Sequence, residues 1–574
     1  MYVYENDPAY ASIPEQYRVP SGWATFPYDQ GPKLEKDLQE KQNWSGSMTL
    51  FSEAGGSHMF KGGVQYYRIA EDVQNAWPFD YIRIYWDRST PYNNWNPSID
   101  RGTYGYYEIR HGHPKGYGTV ADISSARYAL FFQDSWGVTD RLTLNIGVRA
   151  EKENIPSFSD LPEFQESPIQ FGFADKWAPR IGAAYDLFGD GNVKIYGNFA
   201  LYYDVMKLEM AEGSYGGMKW QSHYKTLDTL EWWNIGGEWS AGAFPKDIAQ
   251  YPGQDIGHRD WRIPSFDTTD PDLKPTGIWE AILGVDYQLA DNLALSTRFV
   301  HKRLIRTIED VGVMTPDGEM YYTTNPGFGL SISEAAPGSA PVPKAKRHYW
   351  GVEFRLNKRL SNNWQGGANL TLSRLTGNYS GLASSDEQTR NSPNVERYFD
   401  WWVLNYDANW NPIDGALPTD RRYVLKLYGS YYFDFGLTVG LFQTVMDGTP
   451  HQTDFAIMSM DGWYPNNRGD IGRSDMITQT DLYAEYNFKL GDYRAQVNVN
   501  VLNLFDQKTA YRIYHWYNSN NPGYDDEEVA AMYASGTAIP WQSLAGPDDL
   551  NPRYGMKHAF MNPRSIQLGL KFFF

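Results

Sequence analysis

The connections between predicted strands are alternately short and long, and this alternation constrains the fold more than any single motif does. Short turns are predicted at 53–56, 137–140, 188–192, 290–291, 358–362, 434–436 and 491. Long connections are predicted at 150–176, 202–278, 304–346, 375–422, 447–479 and 504–563. A compact soluble domain rarely contains several connections longer than about 15 residues. An outer-membrane barrel, in contrast, has short turns at one end and long loops at the other.

The predicted strands show strict alternation of apolar and polar side chains, which such a barrel also requires. The clearest strand ends the chain, and its apolar face consists of Ile566, Leu568, Leu570, Phe572 and Phe574. The same alternation recurs at 141–149, 193–199, 283–289, 293–299, 350–357, 481–490 and 494–501. These runs approach the roughly 9–11 residues with which a tilted strand crosses a bilayer. The sequence therefore predicts an all-β protein, an antiparallel transmembrane β-barrel.

Charged residues in the middle of the polar faces support a water-filled lumen. Strands of a β-sandwich also alternate, but they are usually only about 5–6 residues long. A barrel lumen permits charges at mid-strand because that face is wet. The predicted lumen charges are Arg149, Asp286, Arg298, Glu353, Arg355, Glu485 and Arg494.

Composition excludes several other classes of protein. The chain has 574 residues and no stretch of about 18 consecutive apolar residues, so it does not read as a helical membrane protein. It has no cysteine, which removes disulfide, zinc-ribbon and thiol-nucleophile chemistry. Its formal net charge of -18 argues against a nucleic-acid partner. The 21 Trp and 43 Tyr residues suit membrane-interface girdles and long loops.

The strand count leads to an expectation about the N-terminal part. With Phe574 in the periplasm, every short turn is periplasmic and about 15 strands cross the membrane, whereas a single-chain barrel normally has an even number. Residues 1–43 are predicted to be an extracellular loop segment and 44–574 the barrel. We expect further strands, and a secretory leader, upstream of Met1. A 16-strand barrel with one strand within 1–43 is the alternative.

Several segments carry a family resemblance through their order and spacing. They are Phe-Phe-Gln-Asp-Ser-Trp at 131–136, Lys-Trp-Ala-Pro-Arg-Ile-Gly at 176–182, Pro-Asp-Leu-Lys-Pro at 271–275, Leu-Pro-Thr-Asp-Arg at 417–421, Gln-Thr-Asp-Leu-Tyr at 479–483, Val-Leu-Asn-Leu-Phe-Asp at 501–506 and the terminal strand. Roughly residues 120–574 resemble the barrel of the Oar-like (OmpA-related) branch of TonB-dependent outer-membrane receptors.

The resemblance implies a bacterial outer-membrane receptor that binds a ligand through its loops for uptake, with a barrel of about 22 strands around a plug. It also implies coupling to the TonB system through the plug, which we do not find in this sequence. The terminal residues Ile566 to Phe574 would form the signal read by the barrel assembly machinery. Outer-membrane lipid, including lipopolysaccharide, is a further expected partner. The lumen charges would contact the plug or line a path for the ligand through the barrel. The ligand (peptide, protein or carbohydrate) is not specified.

Two other functions stay open at this point. The first is a non-transporting surface protein, either an adhesin-like platform or a subunit of a larger surface assembly. The second is a passive porin of about 16 strands.

No catalytic, cofactor or metal site is predicted. The hydrolase, Walker and zinc-protease motifs are absent from the sequence, so we do not expect an enzyme. His111 and His113 have no third ligand pattern. An acidic loop with Asp267, Asp270 and Asp272 does not have the spacing of an EF-hand, and the charge run at 525–528 reads as solvent-exposed.

Tryptophans in the long loops are the candidate ligand contacts. They are Trp232, Trp233, Trp401, Trp402, Trp463 and Trp516. Their rings could stack on a sugar or anchor a peptide at the mouth of the barrel. Packing of the loops against each other is the commoner role for such residues, and both roles stay open from the sequence.

Overall fold

A single antiparallel sheet of 17 strands forms most of the computed structural model. The structure describes residues 2–4, 23–24, 34–77, 81–86, 88–90, 94–112, 117–206, 208, 214–235, 247–264, 266–381, 399–457, 462–518, 526–547 and 549–574. Fifteen of the strands are numbered here in chain order, with two short strands beside them. They are β1 Leu34–Ser52, β2 Ser57–Trp77, β3 Tyr117–Gly137, β4 Leu142–Ile155, β5 Trp177–Asp186, β6 Val193–Tyr203, β7 Gly277–Ala290, β8 Leu293–Arg306, β9 Arg347–Ser361, β10 Trp364–Gly377, β11 Tyr423–Tyr432, β12 Leu437–Met446, β13 Ile477–Leu490, β14 Tyr493–Leu502 and β15 Ser565–Phe573.

The predicted fold class is confirmed: the chain is mainly β, and its strands form one antiparallel barrel sheet with short turns at one end and long connections at the other. The predicted number of strands also agrees with the fifteen that follow one another from β1 to β15. None of the helices in the described ranges is long and apolar enough to cross a membrane.

The short turns follow from residues that adopt left-handed backbone conformations. Between β9 and β10 the turn consists of Asn362 (φ 51°) and Asn363 (φ 62°), a geometry that Asn tolerates well. The predicted turn at 358–362 is therefore corrected, because the strands continue to Ser361 and resume at Trp364. Gly56 between β1 and β2 has φ 117°, and a Cβ there would lie 2.4 Å from the carbonyl oxygen of Gly137.

The first three strands are unusually long. β1 has 19 residues and β2 and β3 have 21 each, about twice the 9–11 residues with which a tilted strand crosses a bilayer. The paired register continues from Ser52 opposite His58 to Leu34 opposite Ala76. Residues 34–43 are mostly polar because this part of the hairpin extends past the length that a bilayer needs. Apolar alternation is therefore no guide to where these strands begin.

The pairing register gives the sheet an apolar outer face. Ile566 lies opposite Val501, Val501 opposite Leu482, and Leu482 opposite Leu441, so four neighbouring strands contribute to one row. Large apolar side chains on this face are exposed to an extent that a soluble protein would not tolerate, for example Leu283 at 60% and Leu568 at 78%. Contact with lipid instead of water removes the free-energy cost of that exposure.

The long connections contain secondary structure of their own. A six-stranded sheet consists of Tyr2–Tyr4, Trp23–Ala24, Tyr81–Trp86, Gly105–Gly112, Trp220–Thr226 and Asp255–Asp260. Two hairpins pair Glu309–Thr315 with Gly318–Thr324 and Phe455–Ala456 with Gly462–Trp463, and a separate antiparallel pair joins Ala510–Ile513 to Lys557–Phe560. Two short strands, Ile169–Phe171 and Gly415–Ala416, extend the main sheet. The helices are Leu330–Ser333, Asp526–Ser535 and Trp541–Leu544, and the 3-10 turns are Pro162–Phe164, Trp232–Asn234, Ile248–Gln250 and Trp402–Asn405.

Candidate functional site: lumen wall and loop crown

The predicted lumen charges lie on one face of the sheet, the face opposite the exposed apolar rows. Three ion pairs join neighbouring strands there: Lys194 to Asp286 at 2.7 Å, Arg298 to Glu353 at 2.7 Å and Lys302 to Glu280 at 2.6 Å. They connect β6 to β7, β8 to β9, and β7 to β8. The cations of these pairs are 47–52% exposed, so each pair contributes little to stability and mainly neutralises a carboxylate of the wall.

Two hollows open into the inward face of the sheet. The first has a volume of about 800 Å³ near the loop ends of β7 to β10, and Glu280, Arg298, Lys302 and Arg347 are among its lining residues. The second has a volume of about 670 Å³ on β2 to β6. Both are large enough to receive the side chains of a polypeptide or part of a small ligand.

Small residues create the second hollow, and cations surround it. Gly147, Gly182 and Ala184 leave the floor open, because no long side chain projects from these positions. Arg149 at the rim donates hydrogen bonds to Glu151 (2.5 Å) and to Gln65 (2.8 Å).

Cations remain uncompensated on the inward face. Its carboxylates Asp286, Glu353 and Glu280 are engaged in the ion pairs above, and Glu485 accepts hydrogen bonds from Tyr483 and Asn487. Within the described residues, the inward-facing cations without an ion pair include Lys61, Arg180, Arg355, Lys426, Lys489, Arg494 and Lys571. The wall is therefore locally basic in a chain whose net charge is -18. An anionic surface is the complementary occupant.

The loop crown is the set of connections at the loop end, and it has hydrophobic cores of its own. The crown comprises the described residues within 78–116, 156–176, 204–276, 307–346, 378–422, 447–476 and 503–564. One core lies in the six-stranded sheet and includes Ile82, Ile84 and Tyr107. Another joins four connections through Trp402, Phe455, Trp463, Val529 and Trp541. The crown is therefore a packed layer and not a set of independent loops.

Three of the six predicted ligand-contacting tryptophans lie in these cores. Trp232 is 9% exposed, Trp402 is 2% exposed and Trp463 is fully buried. The indole nitrogen of Trp463 donates a hydrogen bond to the carbonyl oxygen of Tyr406 at 2.6 Å. Burial of this kind corresponds to the packing role and removes these rings from contact with a ligand in this conformation.

The other three predicted tryptophans lie apart from one another. Trp401 is half-buried and packs edge-on against Tyr321, with ring centroids 5.7 Å apart. Trp516 is also half-buried, and Trp233 is in a 3-10 turn with its side chain outside the described residues. Trp95 is a further loop tryptophan, outside the six candidates; it is 45% exposed and stacks on His258.

The acidic loop that lacks EF-hand spacing contains a buried carboxylate, Asp270, which holds neighbouring groups by hydrogen bonds. The Asp270 carboxylate is 5% exposed and accepts hydrogen bonds from the Thr324 hydroxyl (2.6 Å) and from the backbone nitrogens of Leu330 (3.0 Å) and Asp272 (2.9 Å). Among the described residues there is no group of three or more metal-ligating side chains. His113 and Asp525 lie outside the described residues, and the rest of that acidic run begins the helix Asp526–Ser535.

The motif Leu-Pro-Thr-Asp-Arg at 417–421 fastens the crown to the barrel. Asp420, 1% exposed, accepts a hydrogen bond from the backbone nitrogen of Leu375 in β10 (2.6 Å) and forms an ion pair with Arg473. Arg422 binds Asp447 through two hydrogen bonds, of 2.5 and 3.0 Å. The charge and hydrogen bonds of Arg422 hold the pKa of Asp447 below its usual range. Sequence reasoning noticed the motif but not its partners, which are distant in the chain.

Three histidines lie where two crown connections meet. His515 has its Nε2 3.4 Å from Asp454, and the ring of His558 stacks on Tyr514 at 4.0 Å. Burial and the nearby charges of His558 and Arg512 lower the pKa of His451 to about 4. Burial is the main cause that lowers the pKa of His515 to about 4, and the charges of His451, His558 and Arg512 act in the same direction.

Comparison with known proteins gives one family match and one curated relative. Residues 6–439 match the family described as outer membrane beta barrel domain. The TonB-dependent transporter Oar of Myxococcus xanthus is 24% identical over 608 aligned positions, which cover 99% of this chain and 54% of that protein. The chain thus spans about half the length of this curated relative.

Solved structures with a similar fold include two outer-membrane proteins. The outer membrane transporter YddB from Escherichia coli aligns with a TM-score of 0.48 and 13% identity, covering 83% of this chain and 52% of that one. A mutant of the ferric enterobactin receptor PfeA from Pseudomonas aeruginosa, in complex with enterobactin, also aligns with a TM-score of 0.48 and 13% identity. That alignment covers 94% of this chain and 55% of the receptor.

Proposed function

The chain belongs to the outer membrane beta barrel domain family, and we propose that it forms the barrel of a TonB-dependent receptor that binds a ligand through its crown for uptake. The single observation that carries this proposal is a packed crown above a wide, polar wall with two hollows. A ligand-binding layer and a hydrated path beneath it are what uptake across an outer membrane requires. The identity to a TonB-dependent transporter along 99% of the chain supports the same function.

The expected partners form part of the proposal. Energised uptake requires coupling to the TonB system, and insertion requires the barrel assembly machinery, for which Ile566, Leu568, Leu570, Phe572 and Phe574 are the proposed signal. The uncompensated cations of the wall favour an anionic occupant, which is either the ligand or a protein segment that fills the lumen. Half-buried Trp401 and Trp516 and the exposed Trp95 are the aromatic side chains best placed to touch a ligand on the crown. No enzymatic step is proposed.

A test of uptake compares cells with the natural gene, cells without this gene and cells without TonB. The probe is a mixture of isotope-labelled peptides and oligosaccharides, and the readout is label in the periplasm and label bound to the cell surface. The receptor predicts periplasmic label that is lost in both mutants. Periplasmic accumulation that is independent of TonB would contradict it.

The second candidate function is a surface platform that binds without transport, and the packed crown with its six-stranded sheet favours it. The same experiment separates the two functions, because a platform predicts surface label that depends on this gene and no periplasmic label. A passive porin predicts a steady conductance of the intact protein in a planar bilayer, which a receptor does not.

A further inference from the structure

A cluster of cations and aromatic rings lies on the outer face of the barrel, near the loop ends of β7 to β10. We call it the outer basic patch, and it consists of Trp279, His301, Arg303, His348, Trp350 and Arg374. The pairing register places these residues on the face of the sheet opposite the lumen charges. Neither uptake nor crown packing explains why cations should face outward from a membrane barrel.

The pairing register brings the six side chains together on one face. Trp279 lies opposite Arg303, and Arg303 lies opposite His348. In the next row, His301 lies opposite Trp350, and Trp350 lies opposite Arg374. The rings of Trp279 and His301 are 4.7 Å apart and nearly perpendicular. Two adjacent rows across four strands therefore form one continuous surface.

The patch lies directly beside the lipid-facing band. The next row toward the short turns consists of Leu283, Phe299, Val352 and Leu372, and three of its members are exposed by 43% or more. Neighbouring rows on one face are about 6.7 Å apart along a strand. The cations are thus within about one row of the hydrocarbon edge, at the level where lipid headgroups and interfacial Trp residues are found.

The two arginines of the patch have no protein counter-charge. Neither Arg303 nor Arg374 forms an ion pair within the described ranges, although both side chains are exposed. Asp414 is the carboxylate that acts electrostatically on His348 of the patch, but its ion pair is with Lys346, at 3.2 Å. By contrast, Lys302, one residue away but facing the lumen, pairs with Glu280. An unpaired guanidinium at the edge of hydrocarbon is costly unless an external anion satisfies it.

The patch is local and not a basic belt. Outward positions at the loop ends of β5, β6 and β11 are occupied by Trp177, Leu201 and Tyr423, which are ordinary interfacial residues. These residues border the patch on both sides and separate it from the outward cations Arg68 on β2 and Lys152 on β4. A localised group of two guanidiniums and two imidazoles indicates a site for a discrete ligand.

We propose that the outer basic patch binds a phosphate-bearing lipid of the outer leaflet, of the lipopolysaccharide class. Guanidinium groups match phosphate oxygens through paired hydrogen bonds, and the imidazoles add donors beside them. Trp279 and Trp350 pack against the headgroup sugar and the upper part of the acyl chains. The site requires only that the barrel stands in an outer membrane with its loop end outward, so it does not depend on the ligand or on transport.

The test is native mass spectrometry of the purified full chain in detergent with added bisphosphorylated lipid A or its dephosphorylated form. We expect retention of the phosphorylated lipid to exceed that of the dephosphorylated form by about tenfold. Inorganic phosphate at the same concentration should not displace the lipid, because the acyl chains contribute to binding. Equal retention of the two lipids would overturn the proposal, as would displacement by inorganic phosphate, and neither outcome requires a variant.

A matched pair of variants then locates the site. The double substitution Arg303→Gln with Arg374→Gln should abolish the preference for the phosphorylated lipid. The control Arg355→Gln also removes a cation without an ion pair, but on the lumen side of β9, and should keep the preference. Heat-modifiable migration in electrophoresis verifies that each variant is folded. An unchanged preference in the folded double variant would overturn the assignment.

Discussion

At the scale of single residues, the crown depends on buried aromatic side chains that the sequence presented as possible ligand contacts. Trp463→Ala removes a fully buried ring and leaves the carbonyl oxygen of Tyr406 without its donor. We expect a loss of about 3–5 kcal/mol in the local stability of the crown. Hydrogen exchange of residues 399–457 and 526–547 measures the loss. Trp95→Ala, which removes an indole that is 45% exposed, is the control and should change exchange there little.

The histidines between two crown connections predict a pH dependence. In the folded crown the pKa of His451 and of His515 is about 4, against an ordinary value of 6.5. The opened crown therefore binds more protons than the closed one between these values, and closure loses stability as the pH falls from about 6.5 toward 4. Hydrogen exchange of residues 462–476 and 503–518, corrected for the intrinsic rate, should increase between pH 7.5 and pH 5.

A variant and an internal reference check that dependence. His451→Leu removes one of the titrating groups and should reduce the pH effect, while burial of the site is retained. The hairpin of β11 and β12, Tyr423–Met446, contains no histidine and serves as the reference for general acid effects. An equal acid response in the hairpin and in the histidine region would rule out the assignment.

At the scale of elements, β15 tests the proposed assembly signal. Phe572→Ala with Phe574→Ala should reduce membrane insertion, because both side chains belong to the exposed apolar face of the terminal strand. Phe573→Ala, on the lumen face opposite Arg494, is the matched control and should insert normally. The measurement is the yield of heat-modifiable protein in the outer membrane. Normal yield in the double variant would refute the signal.

The turn between β1 and β2 allows a comparison of two adjacent glycines. Both have positive φ, but a Cβ on Gly56 would meet the Gly137 carbonyl oxygen at 2.4 Å, whereas a Cβ on Gly55 would meet nothing within 4 Å. Gly55→Ala should cost only about 1 kcal/mol, the conformational penalty alone. Gly56→Ala should cost more, since the neighbouring strand must move. The denaturant midpoint for loss of the heat-modifiable form ranks the two variants, and equal midpoints would contradict the steric account.

Elements differ in how far their sequence reveals them. Membrane-spanning parts such as 481–490 were predicted because lipid on one side and water on the other force a period of two. The turn at Asn362 and Asn363 was recognisable but displaced, since Lys358 to Ser361 are polar enough to resemble a turn. The upper part of β1 could not be found because residues 34–43 lie beyond the apolar band. Backbone hydrogen bonds to β2 hold that part of the strand, and such bonds leave no pattern in the side-chain sequence.

At the scale of the whole molecule, barrel and crown follow different rules. The barrel repeats one pattern, so the strand number and the two faces were predictable from the sequence. The crown is built from contacts between residues far apart in the chain, such as Trp463 with Tyr406 and Asp420 with Arg473. A local pattern of apolar and polar residues does not predict contacts of this kind. For this reason the tryptophans were correctly placed in the long connections, while the division between core and surface could not be made.

Cysteine labelling tests most directly whether this sheet spans the outer membrane with one face in lipid and one in water. The natural chain has no cysteine, so single-cysteine reporters can be introduced without background. Val497 and Val499 of β14 face outward, and Asn498 and Asn500 face the lumen. In intact outer membranes we predict that a water-soluble maleimide labels cysteines at 498 and 500 but not at 497 and 499. Equal labelling of all four positions would contradict the account.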